Sequence, residues 1–182
     1  MSLKNTSERY GALSIGMHWL MVVLIVGVYV CMDLHEFFPK GSSTRNTLMT
    51  GHFMLGLSVL ALVWLRLLLR LMQMTPAITP TPNRMQQGLA TALHWILYAF
   101  MFAMPILGWL ILSAAGKPIP FWGLHLPALI AQNKDTAHQI GEIHETLGNI
   151  GYFLIGLHTV AALFHHYWQK DNTLLRMLPG RK

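Results

Sequence analysis

The chain has 182 residues, 53% of them apolar and only 11% charged, a balance outside the soluble range that makes lipid the expected solvent for a single domain of this length. Its net charge of +6 is scattered over loops without a helix-turn-helix or aromatic RNA-binding pattern, which argues against nucleic acid as a partner. One cysteine, Cys31, and no Cys-x-x-Cys-His exclude an intrachain disulfide framework, a Cys-rich iron–sulfur site and covalent haem attachment.

Four segments are long and apolar enough to cross a bilayer, at residues 12–32, 47–70, 89–115 and 143–168. They predict an all-α integral membrane protein, a four-transmembrane-helix bundle forming one domain over residues 1–182. Residues 1–11 are a polar lead with little capacity to pack on its own. The first helix carries His18 roughly 9 Å inside the membrane, next to Trp19, which suits an interfacial belt. No small-x-small cleavage site follows Met32, so this helix reads as a retained span. Pro39, Gly41 and two serines mark the loop after it.

The second helix bears His52 near its start, Gly56 one turn later on nearly the same face, and Arg66 and Arg70 as snorkelling anchors at its far end. Three prolines between Thr75 and Asn83 predict an extended, solvent-facing connection. The third helix holds His94 and an interior Pro105, which should kink it unless neighbours compensate. Residues 116–143 form the longest connection, expected as a partly helical surface cap. The tail from Gln169 onward is polar and basic, and is expected to meet anionic lipid.

Charge placement sets the topology. Lys4, Arg9, Arg66, Arg70, Arg84, Lys170, Arg176, Arg181 and Lys182 fall on the side of both termini, against Lys40, Arg45, Lys117 and Lys134 on the other. Nine against four predicts cytoplasmic termini by the positive-inside rule.

The fourth helix carries the most chemistry. Thr146 to Trp168 is free of Asp, Glu, Lys and Arg, and His144 and His158 are fourteen residues apart, a rise of about 21 Å with a turn to within roughly 40° of the starting direction. The same stripe holds Gly148, Gly151, Ile155, Ala162 and His165, so small residues lie where a flat macrocycle needs room. Two noncovalent haems at two depths account for that pattern; a tightly packed helix with polar cross-links is the competing reading. A low-spin haem iron needs two strong axial donors from opposite sides. By depth His52 pairs with His144, whereas His18 and His94 are both available to His158. His35, His125 and His138 lie in loops and are expected to be solvated, and His166 should meet solvent or headgroups.

His18-Trp-Leu, His52 with Gly56, Gly88-Leu-Ala with His94, His144-Glu-Thr-Leu-Gly-Asn-Ile-Gly-Tyr-Phe with His158, His165-His166-Tyr and the terminal Lys170-Asp-Asn-Thr-Leu-Leu-Arg-Met together resemble the bacterial cytochrome b561 family over nearly the whole chain. The resemblance implies two haem b groups, with His18 and His158 holding the inner iron and His52 and His144 the outer one, and Gly56, Gly148 and Gly151 packing against the haems. It also implies a multi-pass protein of the bacterial inner membrane that oxidises superoxide outside and reduces ubiquinone inside. On that reading His94 and His165, with Trp19 and Arg70 as wall residues, serve a quinone site, and Lys40 and Arg45 steer superoxide to the outer haem. The alternative is a cytochrome b anchor that links a peripheral dehydrogenase or hydrogenase, as a redox partner subunit, to the quinone pool. A non-redox transporter has no inverted repeat to support it.

Overall fold

The computed structural model describes residues 2–180; Arg181 and Lys182, two of the charges in the topology count, lie outside the described residues. Four helices dominate: α1 Ala12–His35, α2 Ser43–Met72, α3 Arg84–Ala114 and α4 Lys134–Tyr167. All four are long and apolar enough to span a membrane, and they form an all-α, four-span membrane bundle. Residues such as Phe153 and Val23, 79% and 67% exposed, turn apolar surface outward, as lipid requires and water would penalise.

The helix starts have local causes. Asn83 and Gln86 form a reciprocal capping box at α3, with Asn83 Oδ1 accepting the Gln86 amide at 2.9 Å and Gln86 Oε1 the Asn83 amide at 3.2 Å. Asn133 Oδ1 accepts the Thr136 amide at 2.9 Å, and Asp135 places negative charge in the first turn of α4. That cap starts α4 nine residues before the apolar stretch does. α3 stays helical across Pro105.

The chain divides into two compact units, each built from part of every helix. One comprises the described parts of Met1–Leu20, Trp64–Phe100 and Ile150–Lys182. Here the lead, the proline-rich connection and the tail interlock, although the connection was expected to face solvent and the tail anionic lipid. Asn5 takes its amide to Gln73 Oε1 at 2.8 Å and its Nδ2 to the Met74 carbonyl at 2.9 Å. The Ala77 amide reaches the Ser7 carbonyl, and Thr79 and Asn172 exchange two bonds of 2.9 and 3.1 Å. Arg176, expected at lipid headgroups, is 7% exposed, donates to the Pro76 carbonyl and lies over the Tyr10 ring at 5.5 Å. Prolines drive this arrangement: a segment short of N–H groups leaves carbonyls that other segments must satisfy. Gly11 permits it locally, since a Cβ there would lie 2.4 Å from the Leu3 carbonyl oxygen.

Asp171 ties the tail down. Burial alone pushes its carboxyl up, but the hydrogen bonds from His165 and the Thr173 amide outweigh this and hold it below the usual carboxylate range. A depressed carboxylate stabilises the docked tail fully above its unfolded pKa and loses that contribution as pH falls through the folded value. Hydrogen exchange across residues 171–178 should therefore stay slow until the pH drops below the ordinary carboxylate range, and accelerate there. Release at mildly acidic pH would assign the clamp to a different group.

The other unit is Met21–Val63 with Met101–Asn149. Its core joins Leu57, Leu112 and Ile119, with Phe53, Trp109, Phe121 and Leu126 packed around them. The connection over residues 116–143, expected as a partly helical cap, is helical from Lys134, where α4 begins; before that it forms a short antiparallel hairpin, β1 Pro120–Phe121 and β2 Leu124–His125. Trp122 and Gly123 turn it with φ of 45° and 89°, the signature of a tight two-residue turn. Trp122 Nε1 donates to Ser58 Oγ at 2.9 Å, Trp109 Nε1 to the Pro127 carbonyl at 2.9 Å, and the Leu129 amide to Ser113 Oγ at 3.1 Å.

Candidate functional site

In the second unit, His52 of α2 and His144 of α4 face each other with ring centroids 6.1 Å apart and planes at 80°. Two axial imidazoles on one metal ion, with metal–nitrogen bonds of about 2 Å and about 1.1 Å from nitrogen to ring centre, require roughly 6.2 Å. His52 Nδ1 lies 3.1 Å from the Val28 carbonyl of α1. A carbonyl only accepts, so Nδ1 carries the proton and Nε2 keeps its lone pair for a metal, the arrangement that usually orients a ligating histidine. His144 Nδ1 is buried without a well-formed hydrogen bond, facing the Met104 backbone.

Small residues shape the surroundings. A Cβ at Gly56 would meet no atom within 4 Å, one at Gly148 would meet Met104 Cε at 3.7 Å, and one at Gly108 would touch His144 Cε1 at 3.6 Å. Gly56 therefore borders open space one turn from His52. The Gly148 carbonyl accepts the Tyr29 hydroxyl at 2.9 Å. Gly108 was not singled out in the sequence; its signal was a glycine one turn past Pro105 in an otherwise bulky helix.

In the first unit His18, His94 and His158 come together. His18 and His158 have centroids 6.3 Å apart at 72°, which again suits an axial pair. His94 and His158 are closer, 5.5 Å at 71°, short of that separation. No group of three or more His, Cys, Asp or Glu among the described residues is placed to share one metal ion. Gly151, on the stripe of α4, is buried in this unit.

Arg66, expected to snorkel outward, turns in: Nη2 donates to His18 Nδ1 at 3.1 Å, and the guanidinium also bonds Tyr98. With Nδ1 accepting, the His18 proton sits on Nε2, so ligation through Nε2 requires that proton to move to Nδ1 and Arg66 to take another partner. Arg70 stands over the Trp95 and Tyr98 rings at 5.6 and 5.4 Å. Neither guanidinium is ion-paired to a carboxylate among the described residues, an electrostatic vacancy that suits an anionic group. Two opposed imidazoles in each unit, a glycine gap beside one pair and unpaired cations beside the other form a donor set that fits haem with its carboxylates.

The remaining candidates fall into two groups. Trp19 packs edge-on to His18 at 5.4 Å and donates Nε1 to the Met177 carbonyl at 2.8 Å; His165 Nδ1 meets Asp171 Oδ2. Both belong to the first unit. In the α1–α2 turn Lys40 is exposed, whereas Arg45, in the first turn of α2, is committed: Nη1 donates to the His35 and Phe38 carbonyls at 2.8 and 3.0 Å, and Nη2 lies 3.6 Å from Glu36. His35 corrects its expectation. It is 7% exposed, with Nδ1 against the Met32 carbonyl and Nε2 3.2 Å from Glu36, because Arg45 folds the turn over it. His125 and His138 are exposed, but His138 lies in α4 rather than in a loop, because the helix starts at Lys134.

The profile of the family described as prokaryotic cytochrome b561 matches residues 9–180. The chain is 40% identical over 175 residues to cytochrome b561 homolog 1 of Escherichia coli (strain K12), covering 96% of this chain and 99% of that one. It is 39% identical over 175 residues to the probable superoxide oxidase CybB of Yersinia pestis, covering 96% and 98%. Cytochrome b562 of Cereibacter sphaeroides is 27% identical over 176 residues, covering 94% and 96%.

Proposed function

Because the chain belongs to the prokaryotic cytochrome b561 family, membrane electron-transfer proteins that bind b-type haem, we propose that it is a diheme superoxide:ubiquinone oxidoreductase of the bacterial inner membrane. The observation that carries this reading is the pair of opposed histidine couples, at 6.1 and 6.3 Å, on helices that span the bilayer. The name of the Yersinia pestis relative supports the reaction. Two superoxide anions each lose one electron and become O2; ubiquinone takes both electrons and two protons and becomes ubiquinol.

His52 and His144 would hold the haem nearer the periplasm, and His18 and His158 the one nearer the cytoplasm. Haem iron with two imidazoles supplies a low-spin centre that exchanges single electrons. The Val28 carbonyl keeps the His52 ring in the ligating tautomer. Gly56, Gly148 and Gly151 would leave room for the macrocycles, and Arg66, once off His18, would offer its charge to a haem carboxylate. His94, His165, Trp19 and Arg70 line the quinone site, where a histidine connected to cytoplasmic water provides protons.

At the periplasmic end Lys40 is the free cation of the α1–α2 turn and steers superoxide by long-range attraction; Arg45 acts through the fold of that turn. Pulse reduction of the loaded protein by superoxide should be fast, slow with added salt, and slow roughly tenfold in Lys40→Glu. Arg45→Glu should instead loosen the loop, visible as faster hydrogen exchange at residues 35–42. Superoxide that decays by dismutation before it reduces the protein would overturn the assignment.

A further inference from the structure

The end of α4 reverses sharply. Lys170 has φ of 55°, the Trp168 and Gln169 amides both return to the Phe164 carbonyl at 2.9 and 3.1 Å, and the Asp171 amide reaches the His165 carbonyl at 3.1 Å. A left-handed residue after a helix folds the following side chain back over the last turn. Asp171 thereby meets His165, with Oδ2 2.5 Å from Nδ1, while Oδ1 accepts the Thr173 amide at 2.8 Å. The Asp171 side chain is 3% exposed and that of His165 16%, so the pair is largely removed from water.

The carboxylate only accepts here, so Nδ1 of His165 carries a proton and Nε2 is the nitrogen left to exchange protons with a third group. His165 lies one heptad beyond His158, and the two side chains leave α4 on nearly the same side. Arg176 is the charged neighbour of Asp171 within the tail; Tyr10 lies under Arg176, and on α4 His166 packs against Tyr167 rather than the pair. The docked lead, connection and tail cover this end of the unit, and Asp171 and His165 form the buried acid–imidazole couple among their described residues.

Resting on the quinone reading above, we propose that Asp171 is a positioning residue for proton delivery, holding His165 through Nδ1–H so that Nε2 faces the quinone oxygen and, once it has taken up a second proton from cytoplasmic water, presents Nε2–H to it. Reduction of ubiquinone takes two electrons, one from each superoxide, and two protons. The N–H bond of His165 Nε2 breaks as an O–H bond forms on one quinone oxygen, cytoplasmic water restores that proton, and His94 serves the second oxygen. Asp171 stays ionised throughout and undergoes no bond change itself.

Asp171→Asn is nearly isosteric: its Oδ1 still accepts the Thr173 amide, but an amide N–H2 then faces His165 and the negative charge is gone. Asn172→Ala is the control, since it removes the oxygen that accepts the Thr79 amide and leaves the Asp171 charge in place. Wild type and both variants, haem-loaded and in lipid nanodiscs, are assayed for superoxide-driven ubiquinol formation across pH, with haem content measured alongside. Asp171→Asn should keep wild-type haem content and fast reduction by superoxide. Its ubiquinol formation should slow on the order of tenfold to a hundredfold, and its dependence on pH should differ from wild type, because the negative charge that holds His165 in place is gone. Asn172→Ala should keep the wild-type profile. An Asp171→Asn profile that superimposes on wild type, an equal shift in Asn172→Ala, or loss of haem from Asp171→Asn would each overturn the proposal. Absence of ubiquinol formation in wild type would overturn the quinone reading itself.

Discussion

His144→Ala should purify with one haem instead of two and should no longer be reduced by superoxide, while the remaining haem is still reduced from the quinol side. The expectation follows from how little else could hold the iron there. The Val28 carbonyl holds His52 Nδ1, the His52 ring lies across from that of His144, and Gly108 places a small residue beside the His144 ring. Losing one of two axial donors leaves a single weakly retained bond. His52→Ala should give the same result. A pyridine haemochrome assay gives the haem count, and spectra at low temperature identify which haem has gone. Full occupancy in both variants, or loss of the other haem alone, would refute the pairing.

The second large effect separates His18 from His94. Their shared depth leaves both available to His158, but the ring separations differ, 6.3 Å for His18 and 5.5 Å for His94, and only the longer accommodates a metal ion between two imidazoles. His18→Ala should therefore lose the haem on the cytoplasmic side. His94→Ala should retain both haems but slow ubiquinone reduction by roughly a hundredfold, the usual scale for removing a positioned proton donor. Single-turnover reoxidation by a ubiquinone analogue, with haem content measured on the same sample, resolves the two roles. Loss of a haem from His94→Ala with retention in His18→Ala would exchange them.

Much of the architecture is legible in one dimension because a bilayer imposes it. Apolar runs of spanning length, interrupted by prolines, glycines and charges, locate four helices to within a few residues at most ends. The exception, the start of α4 at Lys134, has a polar first turn whose cap at Asn133 is local, yet hydropathy does not register it. Helical periodicity likewise puts His144, His158 and the glycines on one face of α4, since that needs only a fixed rotation per residue.

Three things required the tertiary structure. Which imidazole stands at ligating distance from His158 depends on where α1 and α3 meet α4, which a depth argument along each helix does not contain. Arg66 and Arg45 both look like ordinary cations at helix ends, but one turns inward to His18 and Tyr98 and the other clasps the carbonyls of its own loop over His35. The polar lead, the proline-rich connection and the tail appear solvated because none has a hydrophobic period of its own. Their carbonyls and amides find each other only once the helices bring the three segments to one end of the same unit, and there burial makes satisfying those groups obligatory. Sequence alone thus determines the spans, the helix faces and the candidate ligands, which follow from hydropathy and local geometry. The histidine pairing, the partners of the arginines and the Asp171–His165 couple are decided by contacts between segments far apart in the chain or by a reversal at a helix end, neither of which leaves a periodic signal.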